Sequence, residues 1–257
     1  MQTMISSSTG TRRFAGCAAS VLLILPLSAR PGPPMVGEDP GILEPGQWEI
    51  IVAMKGESRP STDSVQLPVL DVTYGLTPNT QVSVVVARQQ LERQGESSTS
   101  GWGNGEIGYK WRFFSSEIVE MAIAPVYSRP LDKNSAIRGL VEDVSILNVP
   151  VVASLAMGEW TWNFQVGYAI KSTSGNLWDY AVTLGHPLGQ SADVFLEVWG
   201  GADDNFDNKA SNYRVGLDFG FSERTHLLAS FGGAIRSPFP SAEELDWDFY
   251  LGLQWFR

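Results

Sequence analysis

The chain has two histidines, His186 and His226, and they are the natural starting point for a search for acid–base chemistry. His226 with Ser230 offers the nucleophile and base that an ester hydrolase requires, provided the two side chains come within hydrogen-bond reach. In an extended strand four residues span about 13 Å, too far for a direct bond. His186 precedes Pro187 in a turn. A structural or solvated histidine is therefore the better reading of both. The acidic stretch from Asp203 through Asp204, Asn205, Phe206 and Asp207 to Asn208 resembles a calcium loop only in part. Asn208 stands where the loop needs glycine and Arg214 where it needs glutamate, so a solvated acidic loop is expected. Phosphate loops, dinucleotide fingerprints and zinc-ligand spacings are absent, so no cofactor and no metal is implied.

The charged residues that recur at every second position are better candidates. Glu49, Asp71, Glu106, Lys110, Arg112, Glu120, Lys171, Asp179, Asp193, Glu197, Arg214, Asp218 and Asp248 all fall on the polar side of alternating segments. If that side encloses water, these residues line a channel and their charges set its selectivity. The plainer reading is that pairs of opposite sign, such as Glu106 with Lys110 or Arg214 with Asp218, brace a narrow interior, because enclosed charges need partners.

Both readings require strands to carry these side chains inward. From Glu106 onward Ile107, Tyr109, Trp111 and Phe113 alternate with Gly108, Lys110 and Arg112. Trp160, Trp162, Phe164, Val166, Tyr168 and Ile170 alternate as cleanly with Thr161, Asn163, Gln165, Gly167, Ala169 and Lys171. Ten further segments have the same character: 48–55, 65–74, 80–89, 117–127, 144–157, 177–185, 192–200, 213–221, 226–235 and 246–256. Val85 is out of pattern in its segment, and Pro150 suggests a bulge in another. No amphipathic helix is needed anywhere.

The connections and the aromatic residues decide what the apolar face meets. Connections after odd-numbered segments are mostly long and polar, as at 56–64, 90–104, 128–143, 201–211 and 236–245. Those after even-numbered segments are mostly short, as at 75–79, 115–116, 158 and 222–224. That rhythm belongs to an up-and-down barrel with both chain ends on the short-turn side. Trp48, Tyr74, Trp111, Phe113, Trp160, Phe221 and Trp255 sit at the short-turn ends, and Tyr127, Tyr168, Trp178, Tyr213, Trp247 and Phe249 at the others. Two such rings on an apolar face are selected by the two interfaces of a bilayer. A soluble sandwich or propeller would need neither the rings nor the alternating loops.

The N-terminus agrees. Arg12 and Arg13 precede an apolar run over 14–27, followed by Ser28 and Ala29. The run is shorter than the ~20 residues that cross a bilayer as a helix, so residues 1–29 read as an export signal rather than a retained anchor. Cys17, the single cysteine, lies within it. Without these residues 16 Lys+Arg face 28 Asp+Glu, a net charge of −12 that argues against nucleic acid as a partner. Residues 30–46 are Pro/Gly-rich and read as a linker, too short for a separately packed plug domain. Residues 47–257 then form the barrel.

Several motifs point to a family. Tyr74-Gly75-Leu76-Thr77, the stretch from Gly105 to Phe113, Gly158-Glu159-Trp160 leading to Gly167-Tyr168, and Leu251-Gly252-Leu253 resemble the outer-membrane transporter family described as MetA-pathway of phenol degradation proteins. The resemblance runs from about Trp48 to the C-terminus. It implies an outer-membrane barrel for passage of small, often hydrophobic or aromatic compounds, and brings no catalytic residues with it.

The expectation is an all-β protein: a transmembrane up-and-down antiparallel barrel of about 12 strands. It would have no plug domain and would sit among the outer-membrane lipids of a Gram-negative bacterium. A channel or transporter for a small-molecule solute is the first reading. A non-conducting structural or surface-binding barrel is the second, and an outer-membrane hydrolase the third.

Overall fold

Side chains that alternate between apolar and polar force the backbone into strands, and strands in lipid must close on themselves to satisfy every N–H and C=O. The computed structural model shows that closure. It describes residues 32–173, 175–207, 209–235 and 244–257. The expected signal over 1–29, Cys17 and most of the loop expected over 236–245 lie outside the described residues.

The strands are β1 (Trp48–Arg59), β2 (Thr62–Thr77), β3 (Thr80–Arg93), β4 (Thr99–Ser115), β5 (Val119–Ile123), β6 (Val126–Pro130), β7 (Ile146–Asn148) and β8 (Val151–Met157). They continue with β9 (Trp160–Lys171), β10 (Leu177–Pro187), β11 (Ala192–Asp203), β12 (Lys209–Ser222), β13 (Thr225–Ala234) and β14 (Trp247–Phe256). One short helix, α1 (Lys133–Ile137), lies between β6 and β7. Each strand pairs antiparallel with its neighbours, β1 meets β14, and the β9–β10 pairing completes the ring. The fold is a closed twelve-stranded antiparallel barrel, because β5 with β6, and β7 with β8, are two traverses that are each interrupted once.

Proline causes both interruptions. Pro125 and Pro150 each lack the N–H that a ladder position donates. The ladder stays joined across the gap, since Ala124 N donates to Pro150 O at 3.0 Å and Tyr109 N donates to Pro125 O at 3.0 Å.

Turns at one rim are short, spanning residues 78–79, 116–118, 158–159, 188–191 and 223–224. Trp48 and Arg257 exchange two backbone hydrogen bonds at this rim, which places both barrel ends there. The opposite, long-loop rim departs from expectation at three places. Residues 56–64, 90–104 and 201–211, read as polar loops, are mostly strand, paired up to Arg59↔Thr62, Leu91↔Thr99 and Ala202↔Lys209. Above the level of lipid both faces of a strand are wet. Alternation then no longer marks the strand, and residues such as Glu57, Ser58, Gln90 and Glu92 look like loop.

Ile107 is 63% exposed on the outer face, and Tyr109, Trp111 and Phe113 are exposed beside it. Aromatic pairs mark both ends of the apolar belt. Trp48 lies 4.6 Å from Tyr74 and Phe219 lies 5.3 Å from Phe221 at the short-turn rim, while Tyr168 lies 4.8 Å from Trp178 near the other. Rings at these heights seat the barrel between the two interfaces.

Inside, one wall carries an apolar patch of Ile51, Ala53, Val69, Ala87, Leu228 and Tyr250, with Val85 packed against it. Val85, out of pattern in the sequence, faces inward because the patch is there. The lumen is thus polar and apolar by turns.

Candidate functional site

The segment expected to be a linker is the main feature of the interior. Residues 32–47 leave β1 at the short-turn rim and cross the lumen as a strap. Near its start Leu43 N donates to Gln81 Oε1 at 2.9 Å on the β3 wall. Further in, the Glu38 carboxylate lies 2.8 Å from Lys110 Nζ on β4, and Asp39 lies 3.6 Å from the same amine. Glu38 N then donates to Gln165 Oε1 at 2.8 Å on β9, and Gln165 in turn donates to Asp179 Oδ1 at 2.7 Å.

The strap ends against the far wall. Glu197 on β11 accepts from Val36 N and Gly37 N, each at 2.9 Å, and from Thr183 Oγ1 at 2.9 Å. The side chain is fully buried, yet three donors satisfy it, which is what an enclosed carboxylate requires. Pro34 O accepts from Arg214 Nη1 at 3.2 Å and from Ser230 Oγ at 2.8 Å. Gly216 faces Met35 and has no room for a Cβ, so its glycine lets the strap lie flat on the wall.

The strap is no separately folded domain, but it does occupy the lumen, and this corrects its reading as a linker. Composition could not show it. A Pro/Gly-rich run without alternation has the same appearance whether solvated or held by a wall whose donors and acceptors come from strands up to 196 residues away.

A cavity of about 1160 Å³ remains beside the strap, lined mainly by β1–β4 and β14, with contributions from β11 and β12. Its lining reaches from Glu223 and Phe256 at the short-turn rim to Glu57, Ser64 and Glu142 at the long-loop rim. The loop over 131–145 leans in from above. Arg93 donates to Gly139 O, Gln89 Nε2 donates to Leu140 O at 3.2 Å, and Leu140 and Ser135 are buried.

Nine of the thirteen charged residues picked out in the sequence line this cavity: Glu49, Asp71, Glu106, Lys110, Arg112, Glu120, Arg214, Asp218 and Asp248. Glu197 is instead sealed beneath the strap and Asp179 is bound to Gln165. Lys171 and Asp193 are half-buried at strand ends, at opposite rims. The bracing pairs differ from those expected. Arg112 pairs with Glu120 at 2.8 Å, Arg214 with Asp248, and Lys110 with the strap rather than with Glu106. Arg214 also lies 5.8 Å from the Trp199 ring.

His226 Nδ1 lies 2.7 Å from Asp218 Oδ1, both nearly buried, while the Ser230 hydroxyl donates to Pro34 O. Ser230 thus holds the strap. His186 packs against Trp160 at the short-turn rim, with ring centroids 4.3 Å apart and planes inclined at 56°. Around the acidic loop, Asp204 accepts from Tyr168 Oη at 2.9 Å and Asp203 accepts from Asp207 N at 2.9 Å. Among the described residues no group of acidic or histidine side chains is arranged to hold a metal ion.

No family model matches the sequence, and no curated protein matches it. Solved structures do match in fold. The COG4313 outer membrane channel from Pseudomonas putida F1 superposes with a TM-score of 0.64 at 12% identity, over 86% of this chain and 98% of that one. The NanC porin gives 0.57 at 8% identity, over 80% and 98%. LpxR from Salmonella typhimurium gives 0.52 at 11%, over 80% and 99%. At such identities the likeness shows the fold alone. The chain has the fold of bacterial outer-membrane β-barrels, the architecture of channels and porins among others.

Proposed function

We propose that this barrel is an outer-membrane channel for small molecules, with the short-turn rim toward the periplasm and the long-loop rim outward. The observation that carries this reading is the cavity of about 1160 Å³, whose lining comes from both rims. A barrel filled only to brace itself would leave no such space, since protein interiors pack with few voids larger than water. The apolar patch around Val69, Val85, Ala87 and Tyr250 offers a surface to the hydrophobic or aromatic parts of a solute, in keeping with the family resemblance.

Reconstitution into liposomes tests the proposal. Faster entry of at least one small solute than into empty vesicles supports it. Failure of every neutral, charged and aromatic solute to enter, with and without residues 32–43, would overturn it.

The strap favours a second reading, a barrel closed in its resting state. Entry only after removal of residues 32–43 would support that reading over a constitutively open pore.

A further inference from the structure

The signs and pairings of the charges in the cavity wall carry an inference about selectivity, which rests on the channel reading above. Twelve carboxylates and four cationic side chains line the cavity, an excess of eight acids. Three of the four cations are already engaged. Lys110 lies between Glu38 and Asp39, Arg112 is paired with Glu120, and Arg214 is paired with Asp248. Lys55 is the remaining one.

Glu49, Asp71 and Glu106 have no ion-pair partner among the described residues, and Glu49 accepts only the Gln254 amide at 2.9 Å. The register places them together on one wall. Asp71 is level with Val85 and Val85 with Glu106, so the two acids share a row two strands apart, roughly 10 Å at the usual strand spacing. Glu49 is paired with Thr73, two residues along from Asp71 on the same face. All three line the cavity, and Asp71 Oδ1 has no hydrogen-bond partner.

Carboxylates of one sign on a low-dielectric wall concentrate counter-ions and repel co-ions, which is how acidic rings select cations in pores. We infer that this lumen passes cations in preference to anions, and that Glu49, Asp71 and Glu106 determine the preference.

The test is the reversal potential of the full-length protein in a planar bilayer under a KCl gradient. A several-fold permeability preference for K⁺ over Cl⁻ is expected. The variant E49Q/D71N/E106Q should lose most of it while still conducting, and Lys55→Gln should increase it. Should the triple variant fail to fold, Glu106→Gln alone should lower the preference measurably.

Anion preference in the natural protein, or an unchanged preference in the variants, would overturn the inference and leave the channel reading standing. Absence of any current, even without residues 32–43, would overturn both.

Discussion

Gly37 N donates to Glu197 Oε1 at 2.9 Å, and the contact is so close that a Cβ on Gly37 would lie 2.7 Å from Ala181 Cβ. Two consecutive strap amides thus depend on one buried carboxylate and on the lack of a side chain opposite it. A hydrogen bond to a charged acceptor contributes about 1.5–3 kcal/mol, and Glu197→Ala removes two of the four hydrogen bonds that hold this end of the strap. Gly37→Val acts by collision instead. Both variants should swell liposomes faster than the natural protein, with the barrel still folded by heat-modifiable gel mobility. Swelling at the natural rate in both would show that the strap does not limit passage.

The strap is also expected to respond to acidity. Asp39 lies on it rather than on a membrane-spanning strand, and burial pushes its carboxyl from 3.8 up to about 6. Lys110 and the Gly41 amide oppose the rise, while Glu38 and Glu120 add to it. The docked strap thus holds the Asp39 proton more tightly than a released one. Its contribution to docking is complete below about 4 and is lost as pH rises through about 6. Conductance should therefore be lower at pH 4.5 than at pH 7.5, and Asp39→Asn should fix the low-pH level at both. A conductance that falls with rising pH would contradict this.

At the long-loop rim the inward lean of residues 131–145 rests on Gln89 Nε2 donating to Leu140 O and on the burial of Leu140. Replacing Leu140 by Asp puts an unpaired charge into that contact, which costs several kcal/mol unless the loop leaves. The loop should then become open to trypsin at Lys133 and Arg138 in intact proteoliposomes, well ahead of the natural protein. Equal cleavage rates would show that the loop is not held.

The same residues explain what could and could not be read from sequence. Trp160 to Lys171 announces its strand because one face meets lipid and the other water, and that contrast is what alternation records. Glu57 and Gln90 give no such sign, since both faces of their strands are wet. Pro150 marked its own break, and Val85 marked the inner apolar patch as an exception to its pattern. Most of the inward charges were legible for the same reason, yet their partners were not. Lys110 meets Glu38 and Asp39 across the lumen, and no spacing along the chain connects a strand to a strap that folds back inside it.

The orientation of β4 fixes which face meets lipid, and one substitution examines it. Ile107 is exposed on the outer face, within the apolar belt and away from the ring of Trp111 and Phe113, while its neighbour Glu106 lines the cavity. A lysine on the lipid face of a barrel costs about 2–4 kcal/mol near the bilayer midplane. Ile107→Lys should therefore lower folding stability by about that much in urea titrations on phospholipid vesicles. Glu106→Gln, one residue away and turned inward, should stay within about 0.5 kcal/mol of the natural protein, as substitutions outside packed or paired sites do. If the two substitutions had the same small effect, Ile107 would be facing water, and the membrane-spanning placement of β4 would fall with it.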